Sequence, residues 1–272
     1  MKSISKYIGN ASTIDDVIKQ LDEIISMSNK TKSKLGYFAS LYRLVTIKVK
    51  DGILNNQFED GARMESLDVN FANFYLKALK NYLNVEPLSL SWQLAFRQAE
   101  NRKSILLQHL LLGINAHINL DLGVAAAKVC QDSDILSLYN DFMKINSILA
   151  SLVDEVRDDM DRISPWIGFL DHVDPKASKA IINFSLEKSR NYAWAFAKKL
   201  AGANVGEWEG LIKVHDHEVA SIGNMVARPS SWMLKAGLWA IRFRESKNIE
   251  RNLDLLNHNR FETTTTTSNI RL

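Results

Sequence analysis

The segment HLLLGINAHINLDL, residues 109–122, combines a long apolar run with five side chains that can do chemistry. They are two imidazoles, two amides and one carboxylate: His109, His117, Asn115, Asn119 and Asp121. Neutral imidazole and carboxylate are the usual zinc and non-haem iron ligands in proteins, and both groups can act as general acids or bases. His117 and Asp121 are four residues apart, which places both on one face of a helix. The segment therefore predicts a polar site on an otherwise apolar helix.

On an α-helical wheel the polar residues of this segment form two tracks. The first track consists of residues at steps of four: His109, Gly113, His117 and Asp121. The second track lies on roughly the opposite side and consists of Gln108, Asn115 and Asn119. Leucine and isoleucine fill the other positions, so we predict a helix over residues 105–122 that other helices surround. An unsatisfied buried polar group costs about 1–3 kcal/mol, so both tracks need partners elsewhere in the chain.

Those partners are expected among polar residues that fall on or beside apolar helix faces elsewhere. His215 lies on the apolar stripe of its own predicted helix. Asp68 and Asp141 lie on two further predicted helices. We predict that a buried pair, His117 and Asp121, shares a polar pocket with at least one of three groups: His109, Asp141 and His215.

The first functional hypothesis is a metal-dependent enzyme, for example a hydrolase, that acts on a small-molecule substrate. A His/Asp pair four residues apart on a helix can direct both side chains at one zinc or iron ion. The predicted metal ligands are His109, His117, Asp121 and His215. The predicted catalytic residues are His117, Asp121, Asn115, Asn119, Asp68 and Asp141.

The central segment also resembles a helix of the zinc-dependent phospholipase C and P1-type nucleases. That helix carries His, Asp and His at successive steps of four, whereas Gly113 stands here where the aspartate would be. The sequence has no HExxH motif, and no ExxH pair of the di-iron type falls on these predicted helices.

A metal-free enzyme that uses His117 as acid or base, polarised by Asp121, fits the same residues. Three other interpretations stay open. In the first, the polar residues form a satisfied hydrogen-bond network that only fixes helix packing. In the second, a non-catalytic protein encloses an apolar ligand among aromatic residues: Trp92, Phe96, Trp166, Trp194 and Trp208. In the third, DDMD at residues 158–161 belongs to a terpene-cyclase-like pocket, although the spacing departs from DDxxD and no second metal motif follows. A cavity of roughly 300–1,000 Å³ lined by the motif residues would favour a bound molecule over packing alone.

The composition is that of a globular protein. The 272 residues are 46% hydrophobic and 24% charged, enough to bury a substantial core. The net charge of +3, with no long block of either sign, argues against nucleic-acid partners. Cys130 is the only cysteine, which excludes an internal disulfide and fits a reducing compartment. The first residues lack the apolar core of a secretory signal, and no apolar run approaches the roughly 20 residues of a membrane span. We therefore expect a cytoplasmic protein without a membrane span.

Helical periodicity dominates the chain, and no segment alternates with period two for long enough to predict a strand. The second predicted helix should end at Asp51 and Gly52, and the last should run over residues 232–256. These patterns predict a single all-α domain over residues 1–258, with about eight or nine helices around the central buried helix. The low-complexity residues 259–272 are predicted to form a separate tail.

Three segments resemble a known family. They are LLQHLLLGINAHINLDLG, the upstream MESLDVNFANFYL and the downstream DFMKINSILASLVDEV. Over residues 35–230 the chain resembles a bacterial family of all-helical proteins of unknown function. The resemblance implies a helical fold and carries no known reaction. Its matched positions are His109, Asn115, His117, Asn119 and Asp121 in the central motif, and Asp68, Asp141 and Asn146 in the flanking motifs.

Overall fold

The structure is a computed structural model that describes residues 4–165 and 186–257. Within these ranges it contains eleven α-helices and no β-strand, which confirms the all-α prediction. The helices are α1 (Ile14–Thr31), α2 (Leu35–Leu54), α3 (Gly61–Asn84), α4 (Leu90–Glu100), α5 (Leu106–Ile114), α6 (Gly123–Val129), α7 (Tyr139–Ile163), α8 (Leu186–Ala201), α9 (Trp208–Ala227), α10 (Trp232–Arg244) and α11 (Ile249–Asn257). The predicted count of eight or nine is too low because two predicted helices are each divided.

The first divided helix is the central one, which runs from Leu106 to Val129. It consists of α5, a π-helical segment at Asn115–Leu122, and α6. The π-helix has wider turns with i→i+5 hydrogen bonds, and such segments occur frequently at functional sites. The pattern of apolar residues did not distinguish it from an α-helix.

Among the described residues, the helices with the most extensive contact with the central helix are α2, α3, α4, α8 and α9. By length and composition the central helix could cross a membrane, yet 94% of its most apolar window is buried inside the protein. A helix that is apolar on nearly all sides is expected in the core of a folded protein. The predicted central position is confirmed.

The second divided helix is the predicted one over residues 232–256. The chain leaves α10 at Glu245, where ψ is 136°, and re-enters a helix at Ile249. The carboxylate of Glu245 accepts the N–H of Leu106 at 2.9 and 3.1 Å and a hydrogen bond from the Ser164 hydroxyl. The break therefore lets Glu245 cap the first turn of the central helix.

Two predicted helix ends are wrong. The central helix is predicted to end at residue 122 and continues to Val129. The second helix continues past Gly52 to Leu54. Gly52 lies against the ring of Phe58, and a Cβ atom there would be 2.9 Å from its Cε2 atom. This glycine serves close packing, not helix termination. The predicted domain boundary at residue 258 and the tail at residues 259–272 lie outside the described residues.

Candidate functional site

His117 and Asp121 form a buried pair on the central helix. His117 Nδ1 lies 3.0 Å from Asp121 Oδ2, and both side chains are almost completely buried. The indole Nε1 of Trp92, on α4, donates to the same carboxylate oxygen at 2.8 Å. His117 and Asp121 both lie in the π-helical segment, whereas the packing of α4 brings Trp92 to them.

Aromatic rings surround the imidazole of His117. The ring of Phe71, on α3, stacks on it with centroids 3.5 Å apart and an interplanar angle of 6°. Tyr42 and Phe38, both on α2, meet it edge to face at 4.5 and 5.7 Å. These rings and the indole of Trp92 at 5.8 Å shield the imidazole from water.

Burial determines the protonation of the pair. It holds the pKa of His117 well below its usual range and raises the pKa of Asp121 well above its own. Because net charge is disfavoured at low dielectric, the pair retains one proton between Nδ1 and Oδ2. The second ring proton then lies on His117 Nε2, which becomes a hydrogen-bond donor. Nε2 is buried and has no hydrogen-bond partner among the described residues.

An apolar cavity of about 620 Å³ lies beside this pair. Helices α2, α3, α7 and α8 and the central helix form its wall. Leucine, isoleucine, valine, methionine and phenylalanine make up most of the lining, and the ionisable side chains in it are Tyr42, Asp68, His117, Arg157, Asp161 and Arg190. Because Arg157 and Asp161 are exposed, the cavity reaches the surface along α7.

Asp68 places a second buried polar group in the wall. Its Oδ2 atom has no hydrogen-bond partner among the described residues. Desolvation, with a smaller contribution from the charge of Glu65, raises the pKa of Asp68 to about 7. Burial raises the pKa of Tyr42 well above its usual value, and the negative charge of Asp68 raises it further. Asp68 thus changes its charge near neutral pH.

The second polar track faces α9 and is mostly paired. Gln108 Nε2 donates to the carbonyl of Val226 at 2.8 Å. Asn115 Nδ2 donates to the carbonyl of Val219 at 2.9 Å, and Asn119 Nδ2 donates to Asn115 Oδ1 at 2.9 Å. The bonds to Val226 and Val219 join the central helix to α9, as the network interpretation predicted for packing. Among the polar side-chain atoms of this track, Asn119 Oδ1 is buried and has no partner in the described part of the chain.

His215, on α9, contacts the second track and does not join the His117 pair. Its Nε2 donates to the carbonyl of Asn119 at 2.8 Å, and the ring of Phe196 stacks on it at 3.6 Å. His215 Nδ1 faces Tyr192 and Glu218 at 3.5 and 3.6 Å.

His109 is separated from His117 along the first track. Its Nε2 accepts a hydrogen bond from Lys34 Nζ at 3.4 Å. Burial, followed by the charge of Lys34, lowers the pKa of His109 to about 3. Phe38 packs directly on Gly113, between the two histidines in sequence, where a Cβ atom would come within 2.3 Å of its ring.

Asp141 and Asn146, on α7, also have other surroundings. The buried carboxylate of Asp141 accepts the N–H groups of Glu59 and Asp60 at 2.7 and 3.0 Å. It therefore holds the connection between α2 and α3. Asn146 Nδ2 lies 3.9 Å from the sulfur of Met143, and its Oδ1 is buried with no partner among the residues that the structure describes.

The four predicted metal ligands are therefore not brought together. His117 and Asp121 pair with each other, while one nitrogen of His109 and one of His215 are engaged elsewhere. Across residues 4–165 and 186–257, no group of three or more His, Cys, Asp or Glu side chains is placed to hold a metal ion. In the DDMD sequence, Asp158 is exposed and Asp161 lies at the mouth of the cavity.

Sequence reasoning missed several cavity residues. The predicted site residues did not include Phe38, Tyr42 or Arg190. A signal for Arg190 exists, because it precedes Ala193, Trp194 and Ala197 at helical spacing on the buried face of α8. Of the predicted aromatic residues, Trp92 contacts the His117 pair, and Phe96 stacks on Trp92. Trp194 packs on Phe142, and Trp208 donates a hydrogen bond to the Leu200 carbonyl. Trp166 lies outside the described residues.

The fold and the site define an all-helical protein with an imidazole–carboxylate pair beside an apolar cavity. The sequence model described as "Family of unknown function (DUF5995)" matches residues 14–229. The chain belongs to this family, which confirms the expected membership of a family without an assigned function. No curated protein and no solved structure matches the chain.

Proposed function

We propose that this protein binds an apolar small molecule in the cavity beside its central helix. The observation that carries the proposal is the cavity of about 620 Å³ with its largely apolar wall. Protein interiors are close-packed, and voids larger than a water molecule are few. Apolar side chains that line an opening of this kind are not covered by other protein groups, and their removal from water by a ligand is favourable. A cavity in the size range of ligand sites fits a bound molecule better than a packing defect.

The bound molecule should also carry a hydrogen-bonding group. His117 Nε2 and Asp68 Oδ2 are buried and have no hydrogen-bond partner within residues 4–165 and 186–257, and both residues line the cavity. Each unpaired group costs about 1–3 kcal/mol, so a ligand that satisfies one of them gains affinity and orientation. Among small molecules, the cavity therefore favours one with an apolar body and at least one polar group.

A dye titration tests binding. We expect the neutral solvatochromic dye Nile red to bind saturably, with a blue-shifted emission. Val45→Trp fills part of the cavity from α2 and should weaken binding at least about tenfold. The matched control is Val214→Trp on the exposed face of α9, which should bind like the wild type. Absence of saturable binding, or equal binding by both variants, would count against the proposal.

A second candidate is an enzyme that acts on the same bound molecule. It is favoured by one observation, the contact of 3.0 Å between His117 and Asp121 with Nε2 left unpaired. Such a pair can transfer a proton to or from a bound substrate. In this reaction His117 would be the acid–base group and Asp121 would orient it, whereas Asn115 and Asn119 would hold the helix in place.

The metal-dependent form of this enzyme is tested by elemental analysis. It requires His109 and His215 to exchange their present partners for one zinc or iron ion. Protein purified without a metal-affinity column should then contain the metal in stoichiometric amount, and His117→Ala should lose it while remaining folded. Metal below stoichiometric amounts in the wild type would remove this form of the hypothesis.

A further inference from the structure

Arg190 is a buried cation in the wall of the cavity. Its side chain is on α8, and only 4% of the residue is exposed. One terminal nitrogen, Nη2, donates to the carbonyl of Phe142, and the guanidinium lies 4.4 Å from the centre of the Phe142 ring. Its Nε atom is buried and has no hydrogen-bond partner in the part of the chain that the structure describes. No carboxylate among the described residues forms an ion pair with Arg190.

This arrangement is energetically unusual. Buried charges are normally paired with an opposite charge, because desolvation of a lone ion is costly. Desolvation lowers the pKa of Arg190 to about 9, so the guanidinium remains charged at neutral pH. Among the described residues no charged side chain contributes to this shift, so the two acids of the lining, Asp68 and Asp161, do not compensate Arg190.

The geometry points to an amphipathic anion as the ligand, with its apolar chain in the cavity and its acidic head group paired with Arg190. This inference rests on the proposed binding function and adds the chemical class of the molecule. A guanidinium presents its N–H groups as a planar fork that matches a carboxylate, phosphate or sulfate group. Arg157, exposed at the mouth, adds a second positive charge to the lining.

Competition among ligands of one chain length and different head charge tests the inference. Decanoate, 1-decanol and decyltrimethylammonium, each below its micelle or solubility limit, would displace Nile red from the wild-type protein. Decanoate should bind at least about tenfold more tightly than decanol, and the ammonium compound most weakly. Arg190→Met should lower the affinity for decanoate to that for decanol, while the affinity for decanol should stay the same. The matched control is Arg162→Gln, an exposed arginine of α7 outside the cavity, which should preserve the preference.

The outcomes separate this inference from the proposed function. If decanoate and decanol bind equally to the wild type, the inference is overturned while the binding function stands. If neither the dye nor any of the three ligands binds, the proposed function itself fails.

Thermal melting shows whether Arg190 is needed for folding. Arg190→Met removes an unpaired buried charge, so we expect an equal or higher melting temperature together with the lost preference. Arg190→Lys retains the charge and should keep part of the preference. Equal loss of decanoate and decanol binding in both variants would assign Arg190 to packing and overturn the inference.

Discussion

Asp68 is the residue whose charge links this cavity to pH. Its pKa is about 7 in the folded protein, against an ordinary value of 3.8. The folded state therefore binds more protons than the unfolded state between these two values. The contribution of Asp68 to stability must then fall as the pH rises from about 4 to about 7 and level off above that range. The cause is the cost of burying the carboxylate without a partner.

Asp68→Asn should remove this dependence, because the amide is nearly the same shape and carries no charge. We expect the variant to be more stable than the wild type at pH 8, by up to about 4 kcal/mol if the whole shift is realised. The advantage should shrink towards pH 5. Urea unfolding at several pH values measures it, with the exposed Asp254→Asn as the control. A pH-independent difference between Asp68→Asn and the wild type would contradict the assigned charge.

His117 shows how burial and pairing together define a chemical group. The stacked Phe71 and the carboxylate of Asp121 fix the ring, and the retained proton makes Nε2 a donor. The same imidazole in water would titrate near neutral pH and exchange its partners freely. Folding therefore converts an ordinary histidine into an oriented donor at the cavity wall.

At the scale of elements, close contact between α2 and the central helix places the aromatic rings around His117. Gly113 makes this contact possible, because the Phe38 ring occupies the space that a side chain would take. The helix thus carries a residue of low helix propensity for the sake of packing. Phe38 gains its edge-to-face contact with His117 as a result.

Gly113→Ala should destabilise the protein by about 1–3 kcal/mol, since Phe38 must rotate to admit the methyl group. The matched control is Gly210→Ala, where nothing lies within 4 Å of the added Cβ atom. That change should stabilise α9 by about 0.5–1 kcal/mol, because alanine is the better helix former. In a double-mutant cycle the cost of Gly113→Ala should fall in the Phe38→Leu background, and an unchanged cost would show that Phe38 is not the obstacle.

At the scale of the whole molecule, Glu245 joins parts that are distant in sequence. Its carboxylate accepts the N–H of Leu106, 139 residues earlier, and a hydrogen bond from Ser164 at the end of α7. The next residue, Ser246, donates its N–H to the carbonyl of Ile163 at 2.9 Å. The link between α10 and α11 therefore secures one end of the central helix and one end of a cavity wall.

Glu245→Ala should lower the free energy of unfolding by about 1.5–3 kcal/mol, because it leaves the Leu106 N–H without its charged acceptor. Glu245→Gln retains an acceptor oxygen and should cost less. Chemical denaturation would measure both variants beside Glu86→Ala, an exposed acid that we expect to change stability by less than about 0.5 kcal/mol. Equal stability of Glu245→Ala and the wild type would contradict this role.

Local patterns in the sequence were sufficient for the fold class and for the core position of the central helix. Helical spacing of apolar residues depends on neighbours three and four positions away, so it can be read without knowledge of the rest of the chain. The pairing of His117 with Asp121 has the same local origin. An apolar run that leaves no polar face likewise indicates burial whatever the partners are.

Tertiary structure alone decided which polar groups meet and where space remains. His109 pairs with Lys34 and not with His117, and Asp141 serves a loop about 80 residues earlier. The cavity forms where five helical segments fail to fill the space between them, which no single segment encodes. Arg190 becomes a cavity residue for the same reason. Such contacts depend on the relative placement of distant helices, which the packing of the whole chain determines.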